Sequence, residues 1–109
     1  MPQAVYVQEG DLVDYTPSSA VSAGDVIVQG DLVGVAPRPL AVNELGSLIV
    51  FGVCDFAKNT GVAYTVGTTL YWDDTNNVVT ATATGNKLVG KSIRAAASAD
   101  TTVRVRLSQ

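Results

Sequence analysis

One stretch of the chain has the residue types and spacing of a phosphate-binding loop. Gly85-Asn86-Lys87-Leu88-Val89-Gly90-Lys91-Ser92 satisfies the pattern G-x-x-x-x-G-K-[ST]. In such a loop the backbone amides wrap a β-phosphate, Lys91 would neutralise the β and γ phosphates, and the Ser92 hydroxyl would hold magnesium. The surroundings loosely agree, with Val78 to Thr84 as a preceding strand, Ile93 to Ala99 as a following helix and Leu48 to Asp55 as an apolar strand ending in an acid. Three physical objections outweigh the match. Only 17 residues follow Ser92, and a parallel crossover with its helix and return strand would consume nearly all of them. The Asp55 segment precedes the motif and is separated from it by the hairpin-like stretch Leu70 to Thr82, an antiparallel device. Finally, Lys87 to Ile93 reads as a strand after a Gly85-Asn86 turn, which leaves no free amides for phosphate. Nucleotide binding through Gly85 to Ser92 is therefore a remote alternative, and no cofactor is expected.

The other candidate chemistry is weaker. Asp73-Asp74-Thr75-Asn76-Asn77 clusters oxygen ligands, but it lacks the spacing and closing Glu of an EF-hand loop, and Asp and Asn are the residues a hairpin turn selects. Adjacent carboxylates such as Asp73 and Asp74 point apart on a strand, which does not suit paired acid and base work. The chain contains no histidine, so Ser-His-Asp and Cys-His arrangements and His-dependent zinc sites are absent. The lone Cys54 has no intramolecular disulfide partner, and its apolar setting predicts a small buried side chain. No catalytic, cofactor-binding or metal-ligating residue is assigned, and the chain reads as a non-enzyme. Ten acidic residues outnumber seven basic ones, for a net charge of -3, and Lys58, Lys87, Lys91 and Arg94 are scattered along the sequence. Nucleic acid is therefore not expected as a direct partner.

A length of 109 residues suits one hydrophobic core, and the 47% apolar content argues against disorder. The expected organisation is a single β domain over residues 1–109, with residues 1–9 as an extended N-terminal arm. No apolar run approaches the roughly 20 residues of a membrane-spanning helix, and Met1 to Gly10 lacks the pattern of a secretory signal. Val, Thr and Gly dominate, with apolar residues at period two or in short runs, which predicts strands. Ala4 to Gln8, Leu12 to Thr16, Val26 to Gln29 and Leu32 to Ala36 read as strands punctuated by three Gly-Asp turn steps. Pro37-Arg38-Pro39 belongs at a sheet edge or in a connection. Ser47 to Phe56 predicts a strand covered on both faces, by the fold itself or by another subunit. After the loop Lys58 to Gly67, Thr69 to Trp72 and Val78 to Thr82 form a hairpin, and Thr102 to Leu107 alternates with Val103, Val105 and Leu107 inward. Ile93 to Asp100 is ambiguous between a short helix and a packed strand. The fold class is all-β, a small antiparallel β-sandwich or partly open β-barrel with at most one short helix. Its expected core is Val26, Val28, Leu48, Val50, Leu70, Trp72, Val103 and Val105.

Several segments together resemble the small capsid cement, or head decoration, proteins of tailed phages and prophages. The likeness spans nearly the whole chain. Its carriers are Val7-Gln8-Glu9-Gly10-Asp11, Ala23-Gly24-Asp25-Val26-Ile27-Val28, Gly34-Val35-Ala36, Gly67-Thr68-Thr69-Leu70-Tyr71-Trp72-Asp73-Asp74, Thr82-Ala83-Thr84-Gly85-Asn86-Lys87-Leu88-Val89-Gly90 and Thr102 to Leu107. In that family an apolar residue usually follows the last glycine of the Thr-Gly-Asn segment, so Lys91-Ser92 is a departure that creates the phosphate-loop match. Some relatives have carried a predicted-recombinase label, which this chain gives no reason to extend. The resemblance implies a virion structural protein, made in the host cytoplasm, that binds the outer capsid surface and stabilises the shell. It implies the major capsid protein as partner and a homo-oligomer, with a trimer as one form. No membrane partner is expected. Capsid or subunit contacts are expected at the N-terminal stretch, including Pro2, Val5 and Val7, and at the connection Pro37, Arg38, Pro39 and Leu40. A β binding module for a host surface or carbohydrate is the alternative.

Overall fold

The computed structural model describes residues 3–6 and 8–109. Nine strands are described: β1 (Leu12–Tyr15), β2 (Val26–Gln29), β3 (Leu32–Val35), β4 (Gly46–Ile49), β5 (Gly52–Ala57), β6 (Thr69–Asp73), β7 (Val78–Thr80), β8 (Lys87–Ser92) and β9 (Thr102–Leu107). They form two antiparallel sheets, one of four strands in the order β1-β4-β3-β2 and one of five in the order β5-β9-β8-β6-β7. No helix occurs among the described residues. The all-β sandwich-like architecture follows from the period-two pattern. In β9, Val103, Val105 and Leu107 are at most 2% exposed, while Thr102, Arg104 and Arg106 point outward.

The five-stranded sheet curls around its own apolar face without closing. One isolated parallel bridge, Lys58↔Val79, joins its two margins. Inside the curl lie Phe56, Leu70, Trp72, Val79, Val89, Val103, Val105 and Leu107, with the Phe56 and Trp72 rings tilted against each other at 6.2 Å. The four-stranded sheet contributes Val33 to this core and packs Val26, Val28, Val35 and Ile49 against it. Two polar contacts cross between the sheets. The Gln109 side-chain amide donates to the Val33 carbonyl and accepts from its amide, and Lys87 Nζ sits 2.6 Å from Asp31 Oδ1.

Leu48 is fully buried as expected but faces away from this core. It packs over Gly34, and Leu40 packs over Gly46, so the far side of the four-stranded sheet carries a second apolar layer beneath the 36–45 connection. Val50, expected in the core, is only partly buried.

Two other expectations are corrected, and one open segment is resolved. Ser47 to Phe56 is not one strand. The chain turns at Val50 and Phe51 and passes from β4 in one sheet to β5 in the other, with Gly52 at φ 128°, a conformation open to glycine. The expected strand Ala4 to Gln8 is not formed at its described positions: Ala4, Val5, Tyr6 and Gln8 belong to no strand, and Val7 lies outside the described residues. Ala4, Val5, Tyr6 and Gln8 take no place in either ladder, and the Tyr6 hydroxyl instead donates to Glu9 Oε1. Ile93 to Asp100 forms neither helix nor strand. Its one ladder contact is the bridge Tyr64↔Ala96, which buries Ala96.

Candidate functional site

The phosphate-loop motif is not a loop. Gly85 makes a turn at φ 77°, and Lys87 to Ser92 are β8, hydrogen-bonded between β6 and β9. Its second glycine and its serine have other physical duties. A Cβ on Gly90 would overlap the Arg106 carbonyl oxygen, so glycine is needed where β9 passes close by. Ser92 is buried, donating to the Thr65 carbonyl at 2.7 Å and accepting from the Thr68 amide at 3.1 Å, which pins the 65–68 turn. Lys91 stands exposed on the outer face of the sheet. A phosphate loop would be most sensitive at its lysine, whereas this arrangement predicts the opposite for folding. Ser92→Ala should cost about 1–3 kcal/mol by removing two hydrogen bonds made by a buried hydroxyl, and Lys91→Ala within about 0.5 kcal/mol, both read from urea unfolding.

The acidic turn is a hairpin device. Asp73 carboxylate oxygens accept from the Thr75 and Asn76 amides and from the Asn76 side chain, and the Asp73 carbonyl accepts from Asn77 at 2.8 Å. Asn77 takes φ 57°, which Asn tolerates. Among the described residues no group of three acidic or sulfur ligands gathers as a metal cage would require. Cys54 is partly rather than fully buried; burial first, then the Asp55 charge, pushes its thiol above the ordinary range and leaves it a poor nucleophile.

The surface holds the remaining candidates. Pro37, Arg38 and Pro39 lie exposed in the β3–β4 connection, beside exposed Val42 and Leu45. Glu44 organises this loop by accepting from the Ala41 amide and pairing with Arg38 at 3.3 Å. Leu40, by contrast, is 2% exposed and anchors the loop from within. Val5 is 71% exposed on the N-terminal stretch, while Pro2 and Val7 lie outside the described residues.

A second surface escaped sequence reasoning. The outer face of β5, β9 and β8 places Val53 beside Arg106 and Arg106 beside Lys91, with Asp55 beside Arg104 in the next row. A bulge in β8 opposite Leu70 and Tyr71 keeps Val89 inside and turns Leu88 out. Leu88, Lys91, Ile93 and Arg106 thereby line one cavity of about 320 Å³. Arg106 also covers the exposed Phe51 ring at 5.0 Å. The alternation of β9 marked its arginines as outward-facing, but only strand order shows which apolar residues join them.

A model of the phage cement protein family matches residues 7–107. The chain belongs to the phage cement protein family. Membership in this structural family gives the chain a phage capsid-associated role, and the all-β fold and the absence of a phosphate loop agree with it. No curated protein and no solved structure matches the chain.

The cement protein's ionic contacts favour neutral pH. Hydrogen bonds hold four carboxyls below the usual range: Asp31 through Lys87, Glu44 through the Ala41 amide and then Arg38, Asp55 through Arg104, and Asp73 through Asn76. A depressed carboxyl adds stability that is present above its unfolded pKa of about 4 and lost as pH falls through its folded value. With no histidine to titrate between, the melting temperature should be level from about pH 6 to 8 and fall below about pH 4 in calorimetry.

Proposed function

We propose that this cement protein binds the outer surface of a tailed-phage capsid in many copies and stabilises the shell by bridging neighbouring major capsid protein subunits. The observation that carries the reading is the family match over residues 7–107. Cement work needs no active site. It needs a stiff unit with exposed apolar contacts, repeated so that modest affinity per copy reinforces a lattice. The curled sheet with its doubly tied partner sheet supplies the stiffness.

The contacts proposed for the shell are the arm over residues 1–9, including Pro2, Val5 and Val7, and the loop of Pro37, Arg38 and Pro39. Val42 and Leu45 join them because they are exposed apolar neighbours on that loop. Leu40, buried against Gly46, supports this contact loop from beneath. The loop is held by its own Glu44 contacts, so little ordering entropy is lost when it docks.

Two variants test the assignment: deletion of residues 2–9, and Val42→Asp with Leu45→Asp. Val42 and Leu45 are exposed, and both proteins should fold. Each should weaken binding to expanded, undecorated capsids by at least about tenfold in co-sedimentation, the loss expected when one apolar anchor is charged. Full binding by both variants would remove these segments from the capsid interface.

A further inference from the structure

The charges of this chain are unevenly divided between its two sheets. Over residues 9–49, which hold the four-stranded sheet, six acidic residues face Arg38 as the one cation. Over residues 52–107 six cations face four acids. Of those six, Lys58 is buried with its ammonium on the Asn59 and Asp100 carbonyls, and Lys87 is paired with Asp31. The other four, Lys91, Arg94, Arg104 and Arg106, collect around the outer face of β9 and the end of β8. There Asp55 is bonded to Arg104 and feels Arg94 as well, while Lys91 and Arg106 are in no ion pair among the described residues. Exposed Val53, Leu88 and Ile93 lie among these cations, and Leu88 and Ile93 share the cavity lined by Lys91 and Arg106.

The same molecule carries the complementary surface. β1 is an edge strand of the four-stranded sheet. Glu9, Asp11 and Asp14 surround exposed Leu12 there and line one shallow cavity with it, and among the described residues none of the three acids is in an ion pair. An apolar side chain framed by acids on one surface matches an apolar cavity framed by cations on the other. Cationic and acidic surfaces of this kind steer association and fix its register, and the apolar contacts between them lose water on docking.

We propose that a second copy of this chain docks on the outer face of β8 and β9, placing its β1 edge, with Leu12 between Asp11 and Asp14, over the cavity of Leu88, Ile93, Lys91 and Arg106. The residues that meet, Asp11, Leu12 and Asp14 on one copy and Leu88, Lys91, Ile93 and Arg106 on the other, are none of those proposed for the capsid contact, so copies can meet without a shell. The inference therefore does not rest on the capsid reading, and either can fail alone.

Sedimentation equilibrium of the full chain tests it. In about 0.1 M salt the mass should rise with concentration to at least twice the 11.3 kDa of one chain, and it should return toward that value in about 1 M salt, where surface charges are screened within roughly 3 Å. One double variant, Lys91→Glu with Arg106→Glu, makes both surfaces acidic; another, Asp11→Lys with Asp14→Lys, makes both basic. Each alone should stay monomeric, and their equal mixture should associate, because each reversed surface then meets an opposite one. Circular dichroism confirms that both fold, and Leu88→Ser with Ile93→Ser, which changes no charge, should also lose the association. A wild-type chain that stays monomeric in about 0.1 M salt overturns the proposal, as does a mixture of folded charge variants that fails to associate.

Discussion

Gly90→Ala should destabilise the fold by about 3 kcal/mol or more, at the top of the range for an overpacked site. The added methyl would sit inside the van der Waals radius of the Arg106 carbonyl oxygen and close to the Ser108 amide, both backbone atoms of or next to β9. A side chain could rotate away; a central strand cannot. β9 lies between β5 and β8 in the five-stranded sheet, and moving it would disturb both ladders and the buried Val103, Val105 and Leu107. Urea unfolding with circular dichroism reads the effect. Gly85→Ala, at a turn with open space beside it, should cost less despite its φ of 77°. Equal costs at the two positions would mean that β9 does not approach Gly90 as described.

Trp72→Ala should cost about 3–5 kcal/mol, a large share of the 5–15 kcal/mol that holds a domain of this size. Trp72 is 5% exposed, packs against Phe56 inside the curl, and donates its indole N–H to Asp74 Oδ1 at 3.0 Å. Packing and hydrogen bonding can be separated. Asp74→Ala removes only the acceptor at the rim of the core and should cost about 1–2 kcal/mol. As the single tryptophan, Trp72 also reports its own environment by fluorescence, so the Asp74→Ala protein should keep a buried, blue-shifted emission. A red-shifted emission in that folded variant would show that the hydrogen bond, rather than the packing, holds the ring in place.

Much of this was legible in the residues. Val26 to Gln29 and Thr102 to Leu107 are strands with the bounds their alternation predicted, and Asp73 to Asn77 turns the chain as its Asp and Asn content required. Asp25 accepts from the Ser22 amide, the turn chemistry expected of a Gly-Asp step. The bend inside Leu48 to Asp55 was not legible. Apolar composition stays high through Val50 and Phe51, and hydropathy carries no mark for the point where a strand leaves one sheet for another. The burial of Leu40 was hidden for a related reason: beside two prolines it resembles a surface residue, but Gly46 on β4 leaves a space that its side chain fills. The cationic face was hidden because Lys91 and Arg106, distant in sequence, become neighbours only through the β8–β9 register. The same scatter of cations that argued against a phosphate-binding surface conceals this cluster.

The motif from Gly85 to Ser92 shows why pattern and fold must be weighed together. Its second glycine is kept by close strand passage and its serine by two hydrogen bonds from a buried hydroxyl to the 65–68 turn, so these letters of a nucleotide site arise here from sheet packing.

The most direct measurement is co-sedimentation of the purified protein with expanded, undecorated capsids of the phage or prophage that encodes it, scored by stoichiometry and by capsid survival on heating. Saturable binding at a fixed ratio to the major capsid protein, with raised heat resistance of the shell, is the predicted result. Absence of binding to both expanded and unexpanded shells would contradict it.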